Sequence, residues 1–250
     1  DAGLEATAHF YIASMQWIGG RLEAVVTGKQ LTPEQRGGIV EDVERGFSET
    51  LQPLPWHADT CLGDWHYSRP LYERHGYKSA QSVIQRLCDT VSKNGNLLLN
   101  VPVRGDGTID DDEVAIVERI GEWTARNGAA IFGTRPWRVF GEGPTPVAGG
   151  AFGEEKAKAF TPADIRFTTR AGTLYALVLG EPADDRVTIA SLATGGTVTS
   201  GEVRRVELLG GDGVPLHFDR TARGLTVTLP PRRPRPLVTA LAIEGPGLVG

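Results

Sequence analysis

The sequence predicts an α/β unit followed by an all-β unit, and three observations carry that reading. Over roughly the first 140 residues strand-like and helix-like windows alternate, the succession that builds a parallel sheet or barrel. Beyond residue 163, seven short β-rich runs succeed one another with no helical window between them, as in an antiparallel β-sandwich. Between the two, residues 141–163 are dense in Gly, Pro and charge. The composition changes across that stretch: all five Trp and four of the five His precede it, and no Lys lies beyond Lys158. A linker or exposed loop over 146–163 is therefore expected, separating residues 1–145 from 164–250.

Within the first unit, residues 21–28 read as a buried strand. Thr32 and Gln35 then match a capping box opening a short helix. His9 lies in a strand-like apolar run, where a hydrogen-bonded core histidine is expected. Residues 40–69 have few recurring apolar positions and read as one long loop, of a length at which loops tend to be functional. Ser79 is the expected cap of a stronger helix with Val83, Ile84, Leu87, Cys88 and Val91 on one face, stopped at Asn94-Gly95. Residues 96–103 then read as a strand buried on both faces. Asp110, with Glu113 three residues on, should cap a further helix with the stripe Val114, Val117, Ile120 and Trp123, ended by Asn127-Gly128. In the second unit the predicted strands lie in 164–170, 173–179, 186–192, 203–210, 214–219, 224–230 and 237–243. The basic, Pro-rich residues 230–236 suit an edge or a turn between two of them, or an extended segment against a partner.

Composition excludes several functions. The chain has 250 residues, 40% hydrophobic and 23% charged, which is globular rather than disordered composition. Lys+Arg 26 against Asp+Glu 31 leaves a net charge of -5, against the basic stripe of a nucleic-acid binder. The apolar runs fall far short of the ~18–20 residues of a membrane span. Cys61 and Cys88 are too few for a disulfide scaffold or a cysteine metal site. Residues 104–113 lack the ligand alternation of a calcium loop, and a turn feeding a helix cap explains them. Gly141 and Gly143 do not sit in a phosphate-loop context. No cofactor and no metal are expected.

The unusual stretch is 40–69, which holds Glu41, Asp42, Glu44, Glu49, Asp59, Asp64, His57, His66, Trp56, Trp65 and Tyr67 within thirty residues. Carboxylates beside indoles suit a carbohydrate site: the rings stack on sugar C–H faces, and the carboxylates bind hydroxyls and move protons. A surface loop whose Trp residues plug the core and whose acids are solvated fits the same composition.

Residues 56–67 (WHADTCLGDWHY), 78–110 and 120–137 together resemble the glycoside hydrolase family 29 α-L-fucosidases, with similarity running from about residue 9 to 145. The later part, best at Val206-Gly210, is similar to that family's C-terminal sandwich. The resemblance implies the C-terminal part of a (β/α)8-like catalytic barrel followed by the sandwich. It also implies retaining hydrolysis of terminal α-L-fucosides on oligosaccharides or glycoconjugates. The family's Asp nucleophile falls just upstream of the segment matched by residues 8–14, so the chain, which opens on Asp1 without a leader, is expected to be part of a longer enzyme.

On this resemblance Glu44 is the expected acid/base, with Glu49 the runner-up and Glu41 third. An ion pair of Glu44 with Lys29 or Arg45 is the competing role. Lys29 is expected to reach a ring hydroxyl or to remain solvated. Trp56, Trp65 and Tyr67 line the sugar pocket or pack, and His66 binds a hydroxyl or a backbone carbonyl. Asn100 points to the C-terminal face of the barrel or serves as a structural amide. The family usually carries Glu or Gln after the loop Trp, where this chain has His57. An extracytoplasmic compartment is implied. A part-barrel would leave a bare strand edge, from which self-association is expected. The alternative is a non-catalytic carbohydrate-binding or assembly module.

Overall fold

The structure, a computed structural model, describes residues 2–231 and 237–249. Helix α1 (Ala2–Trp17) comes first, and four of its sixteen residues are Ala, the strongest helix former. His9 is therefore an exposed helical residue rather than a core histidine on a strand. No residue of α1 is buried. Tyr11 ties the helix to residues 26–38, its hydroxyl donating to Gly38 O (2.7 Å) and accepting from the Val26 amide (3.2 Å).

Strand β1 is only Thr27–Gly28, not the whole of 21–28. Leu22 and Val25 are exposed, so the apolar pattern there fills no core among the described residues. The Thr32–Gln35 capping box forms in both directions but opens a single 3-10 turn, which Gly37 ends and Gly38 follows. Residues 40–69 are not one loop. They contain strands β2 (Val40–Glu44) and β3 (Trp56–Cys61), followed by the short helix α2 (Arg69–Glu73). Polar residues mask these strands: at period two Asp42 and Glu44 share one face of β2 and His57 and Asp59 one face of β3, and Glu41 puts a further acid on the other face of β2.

Helix α3 (Ala80–Ser92) has the Ser79 cap, whose Oγ accepts from the Ser82 amide, and buries Val83, Ile84 and Cys88 as the spacing requires. Strand β4 (Gly95–Asn100) comes next. Its two-sided burial is not found: Asn96 and Leu98 are exposed, so one face is open. Helix α4 (Asp111–Asn127) carries the complete Asp110–Glu113 capping box. Its stripe is buried at Trp123, whose Nε1 donates to Val238 O, while Val114 and Val117 are partly exposed. Strands β1 to β4 form one parallel sheet in sequence order.

Strand β5 (Arg135–Glu142) precedes the 146–163 stretch yet pairs antiparallel with β6 (Ile165–Arg170), so it belongs to the second unit's sheet. That sheet runs β5-β6-β7-β12-β9, with β7 at Thr173–Val178, β9 at Arg205–Leu208 and β12 at Thr239–Glu244. A second sheet, β10-β11-β8, holds β8 (Arg186–Ile189), β10 (Phe218–Thr221) and β11 (Gly224–Thr228). The predicted 186–192 run ends as a 3-10 turn over Ala190–Leu192, and the 214–219 strand is displaced to Phe218–Thr221. Residues 232–236 of the Pro-rich stretch lie outside the described residues.

The two antiparallel sheets enclose one core, to which β7 contributes Leu174, Ala176 and Val178. The alternate residues Tyr175, Leu177 and Leu179 face a second core with Ile84, Cys88 and Trp123 of α3 and α4. A strand buried on both faces reads as a continuous apolar run, which is the character of residues 174–179.

The 146–163 stretch is not a free linker. Its ends are clamped by Asp164, which accepts from the Thr145 amide (2.9 Å) and hydroxyl (2.7 Å) and from the Thr161 amide (2.7 Å) and hydroxyl (2.8 Å). Burial pushes this carboxyl up, but the four hydrogen bonds outweigh it and hold it below the ordinary carboxylate range. A depressed folded value means stability that is present above about pH 4, the ordinary carboxylate value, and lost as the pH falls from there through the lower folded value. Asp164→Asn should cost about 1.5–3 kcal/mol at pH 7, measured by urea unfolding, and the gap to the parent should close in acid. A gap independent of pH would exclude the charge as its source.

Candidate active site

The parallel register sets Asp42 opposite His57 and Glu44 opposite Asp59. Alternation along the strands therefore puts these four side chains on one face, and Glu41, Val43, Trp56, Ala58 and Thr60 on the other. Lys29, one residue beyond β1, reaches across to this acidic face. Its Nζ lies 2.7 Å from Glu44 Oε2, 3.0 Å from Asp59 Oδ2 and 3.5 Å from Asp42 Oδ2. Burial opposes the Lys29 charge, but its hydrogen bonds to Glu44 and Asp59 and the surrounding carboxylates outweigh that and raise its pKa. Asp42 moves up as well, first through burial and then through Asp59 beside it, which together outweigh the His57 and Lys29 charges. His57 Nε2 is 4.0 Å from Asp42 Oδ1, a buried oxygen with no hydrogen-bond partner.

Glu44 is the last residue of β2, at the C-terminal edge of the sheet, with about a quarter of its side chain exposed. The ion pair with Lys29 that the sequence left open is present. A cleft of about 500 Å³ is lined by Lys29, Asp42, Glu44, Phe47, Leu54 and Phe152, among others. Glu49 lies in the β2–β3 connection, where Oε1 accepts from the Gly149 amide (3.0 Å). Glu41 is held by Arg36 (3.1 Å) and the Leu31 amide (3.1 Å).

Trp56 is buried at the start of β3, its Nε1 donating to Lys93 O (2.9 Å) and its ring against Gly95, and it also forms part of the cleft wall. Trp65, His66 and Tyr67 come after β3 at the same edge of the sheet as Glu44, but they do not line its cleft. Trp65 and Tyr67 are half-buried and His66 is exposed. Asn100 acts as a structural amide there, donating to Trp65 O (3.1 Å), and Arg104 sits 5.8 Å from the Tyr67 ring centroid.

Sequence reasoning does not single out Asp42 and Asp59. The signal is available, because Asp42-x-Glu44 and His57-x-Asp59 each have the i, i+2 spacing that shares a strand face. It is invisible while 40–69 reads as a loop.

After Glu44 the chain turns sharply at Arg45, whose φ is 44°. It then passes Gly46, which lies against the 146–163 stretch. A Cβ on Gly46 would stand 2.2 Å from Gly150 O and 2.5 Å from Val43 Cγ1. The first of these is backbone and cannot rotate away. Gly46→Ala should therefore cost about 1–3 kcal/mol in urea unfolding, and a loss under about 0.5 kcal/mol would show that this approach is not held in solution.

Two family models match the chain: Alpha-L-fucosidase over residues 9–129, and Alpha-L-fucosidase C-terminal domain over residues 158–243. The chain belongs to the glycoside hydrolase family 29 α-L-fucosidases. It is 28% identical over 200 residues to an alpha-L-fucosidase of Dictyostelium discoideum, a match covering 79% of this chain and 39% of that protein. It is 36% identical over 116 residues to the human plasma alpha-L-fucosidase, covering 45% and 24%. The Thermotoga maritima alpha-fucosidase, solved with a mechanism-based inhibitor, superposes with a TM-score of 0.61 at 27% identity, covering 82% of this chain and 42% of that one. The chain thus spans about two fifths of the length of these longer fucosidase relatives. The two family models lie on either side of β5, the second beginning inside the segment clamped by Asp164, where the parallel sheet of this fucosidase chain gives way to the sandwich.

Proposed function

We propose that this chain is the C-terminal part of a retaining α-L-fucosidase that removes terminal α-L-fucose from oligosaccharides or glycoconjugates. The parallel sheet β1–β4 is then the closing part of a (β/α)8-like barrel, with its active site at the C-terminal edge of the strands. The observation that carries this reading is the placement of Glu44 at that edge, in a cleft, with Lys29 holding its carboxylate at 2.7 Å.

A retaining glycosidase needs a second carboxyl about 5–5.5 Å away as nucleophile. In this reading it is an aspartate supplied by polypeptide outside these 250 residues. Glu44 gives its proton to the leaving oxygen in the first step and takes one from water in the second. Lys29, Asp42 and Asp59 fix it in place, and Lys29, Trp65, His66 and Tyr67 are the proposed contacts to sugar. The exposed apolar side chains of α1 and the edge of β1 are surfaces that the rest of the barrel, or a second copy, covers. An extracytoplasmic compartment accords with glycan substrates.

The test is turnover of aryl and natural α-L-fucosides by the intact natural protein that carries this chain, parent against Glu44→Gln. Normal rates of Glu44→Gln on poor leaving groups would remove Glu44 from the role. An intact natural product of 26.9 kDa with no fucosidase activity would turn the reading to a carbohydrate-binding or assembly module.

A further inference from the structure

We propose that Glu154 is a positioning residue for Glu44, so that the segment leading into the β-sandwich is part of the acid/base machinery. The inference rests on the proposed role of Glu44 as the acid/base.

Three backbone hydrogen bonds join the two segments. Glu44 O accepts from the Phe152 amide (2.8 Å), Arg45 O from the Glu154 amide (3.0 Å), and Phe47 O from the Gly150 amide (2.9 Å). The carbonyls on and after the acid are thus held by a strap more than a hundred residues away in sequence. Two non-glycine residues take the left-handed conformation to make this fit, Arg45 (φ 44°) and Phe152 (φ 58°). Such residues persist where the surroundings over-determine them.

The Glu154 carboxylate anchors the strap. Oε1 is 2.6 Å from Lys78 Nζ, and Oε2 is 3.0 Å from an Arg86 guanidinium nitrogen and accepts from the Thr60 hydroxyl (2.8 Å). Only 12% of the side chain is exposed. Arg86 carries the restraint back to the acid: its other terminal nitrogen donates to Gly46 O (2.7 Å), and its guanidinium lies 4.5 Å from the centroid of the Phe47 ring. Glu154 therefore fixes the strap to the end of β3 and to α3, and both the strap and Arg86 fix the two residues after Glu44. A general acid must lie within hydrogen-bond reach of the leaving oxygen, and loss of placement is costly.

The experiment compares Glu154→Gln with the parent in the intact natural protein, on an activated aryl α-L-fucoside and on an unactivated fucoside. Misplacing Glu44 slows the first step only on the substrate that needs protonation, whereas the second step loses its base on both, so kcat is compared with azide present to relieve the second step. The expected result is a fall of tenfold or more in the unactivated-to-activated ratio of kcat, with KM little changed and faster amide exchange at Gly150, Phe152 and Glu154. Thr60→Val removes one hydrogen bond to the same carboxylate and should move the ratio in the same direction by two- to fivefold, without the risk of unfolding. A parallel fall on both substrates, or an unchanged ratio in both variants, overturns the inference. Glu44→Gln run alongside separates the causes. Normal turnover in that variant overturns the acid assignment and this inference with it, whereas a slow Glu44→Gln beside an unaltered Glu154→Gln overturns this inference alone.

Discussion

Replacing Asp89 by Ala is expected to lower the unfolding free energy by about 3–5 kcal/mol. Asp89 lies on α3 and pairs with Lys93 one turn on (2.8 Å) and with Arg166 on β6 of the sandwich (2.6 Å). The three side chains are 0%, 0% and 4% exposed. Two cations share one carboxylate, so its loss leaves two uncompensated buried charges. Burial already pushes the Lys93 ammonium down, and Asp89 is the main group that opposes this.

The remaining contacts of the cations do not replace the carboxylate. Lys93 also donates to Ser48 O (2.8 Å) and lies 4.8 Å from the Phe140 ring centroid. Urea unfolding of Asp89→Ala measures the loss. The triple variant Asp89→Leu, Lys93→Met, Arg166→Met should recover most of it, because desolvated charge rather than packing is what costs energy there. A loss below about 1 kcal/mol in the single variant would show that the triad is solvated.

Glu44→Gln is expected to reduce kcat on fucosides with poor leaving groups by roughly 10²–10⁴-fold, about 3–5 kcal/mol of transition-state stabilisation. The amide keeps the shape and can still accept from Lys29, but it has no proton to give. Activated aryl fucosides leave without protonation, so their first step should be little affected. Their second step loses its base, and azide, which needs none, should restore turnover and yield the fucosyl azide with retained configuration. The side chain is partly exposed and terminates its strand, so folding should survive the change. Uniform slowing without azide rescue would assign Glu44 to sugar binding rather than proton transfer.

Local rules were legible where the physics is local. The caps at Ser79 and Asp110 and the apolar stripe of α3 formed as their spacing demanded. So did most of the β-runs beyond residue 163, each between turn signals. The misreadings share a cause. Residues 40–44 and 56–61 are strands in which acids or His occupy alternate positions of one face, around Lys29, so the hydrophobic pattern that marks a strand is diluted at the place where function needs polar groups. Residues 21–28 and α1 carry apolar side chains that no described neighbour covers, and there composition misjudged burial.

Period, caps and motif spacing within short windows were enough to establish the order of an α/β part before an all-β part and the positions of α3 and α4. Through the motifs of 56–67, 78–110 and 120–137 they also established the family. Three features needed the folded chain: Lys29, Asp42, Glu44 and Asp59 share one site, β5 pairs with the sandwich, and the 146–163 stretch is a buttress rather than a tether. Strand register sets the first, sheet pairing the second and the buried carboxylates of Asp164 and Glu154 the third. Each depends on at least one pairing of about thirty residues or more, Lys29 with Asp59, β5 with β6 and Glu154 with Thr60, and no short window of sequence contains both partners.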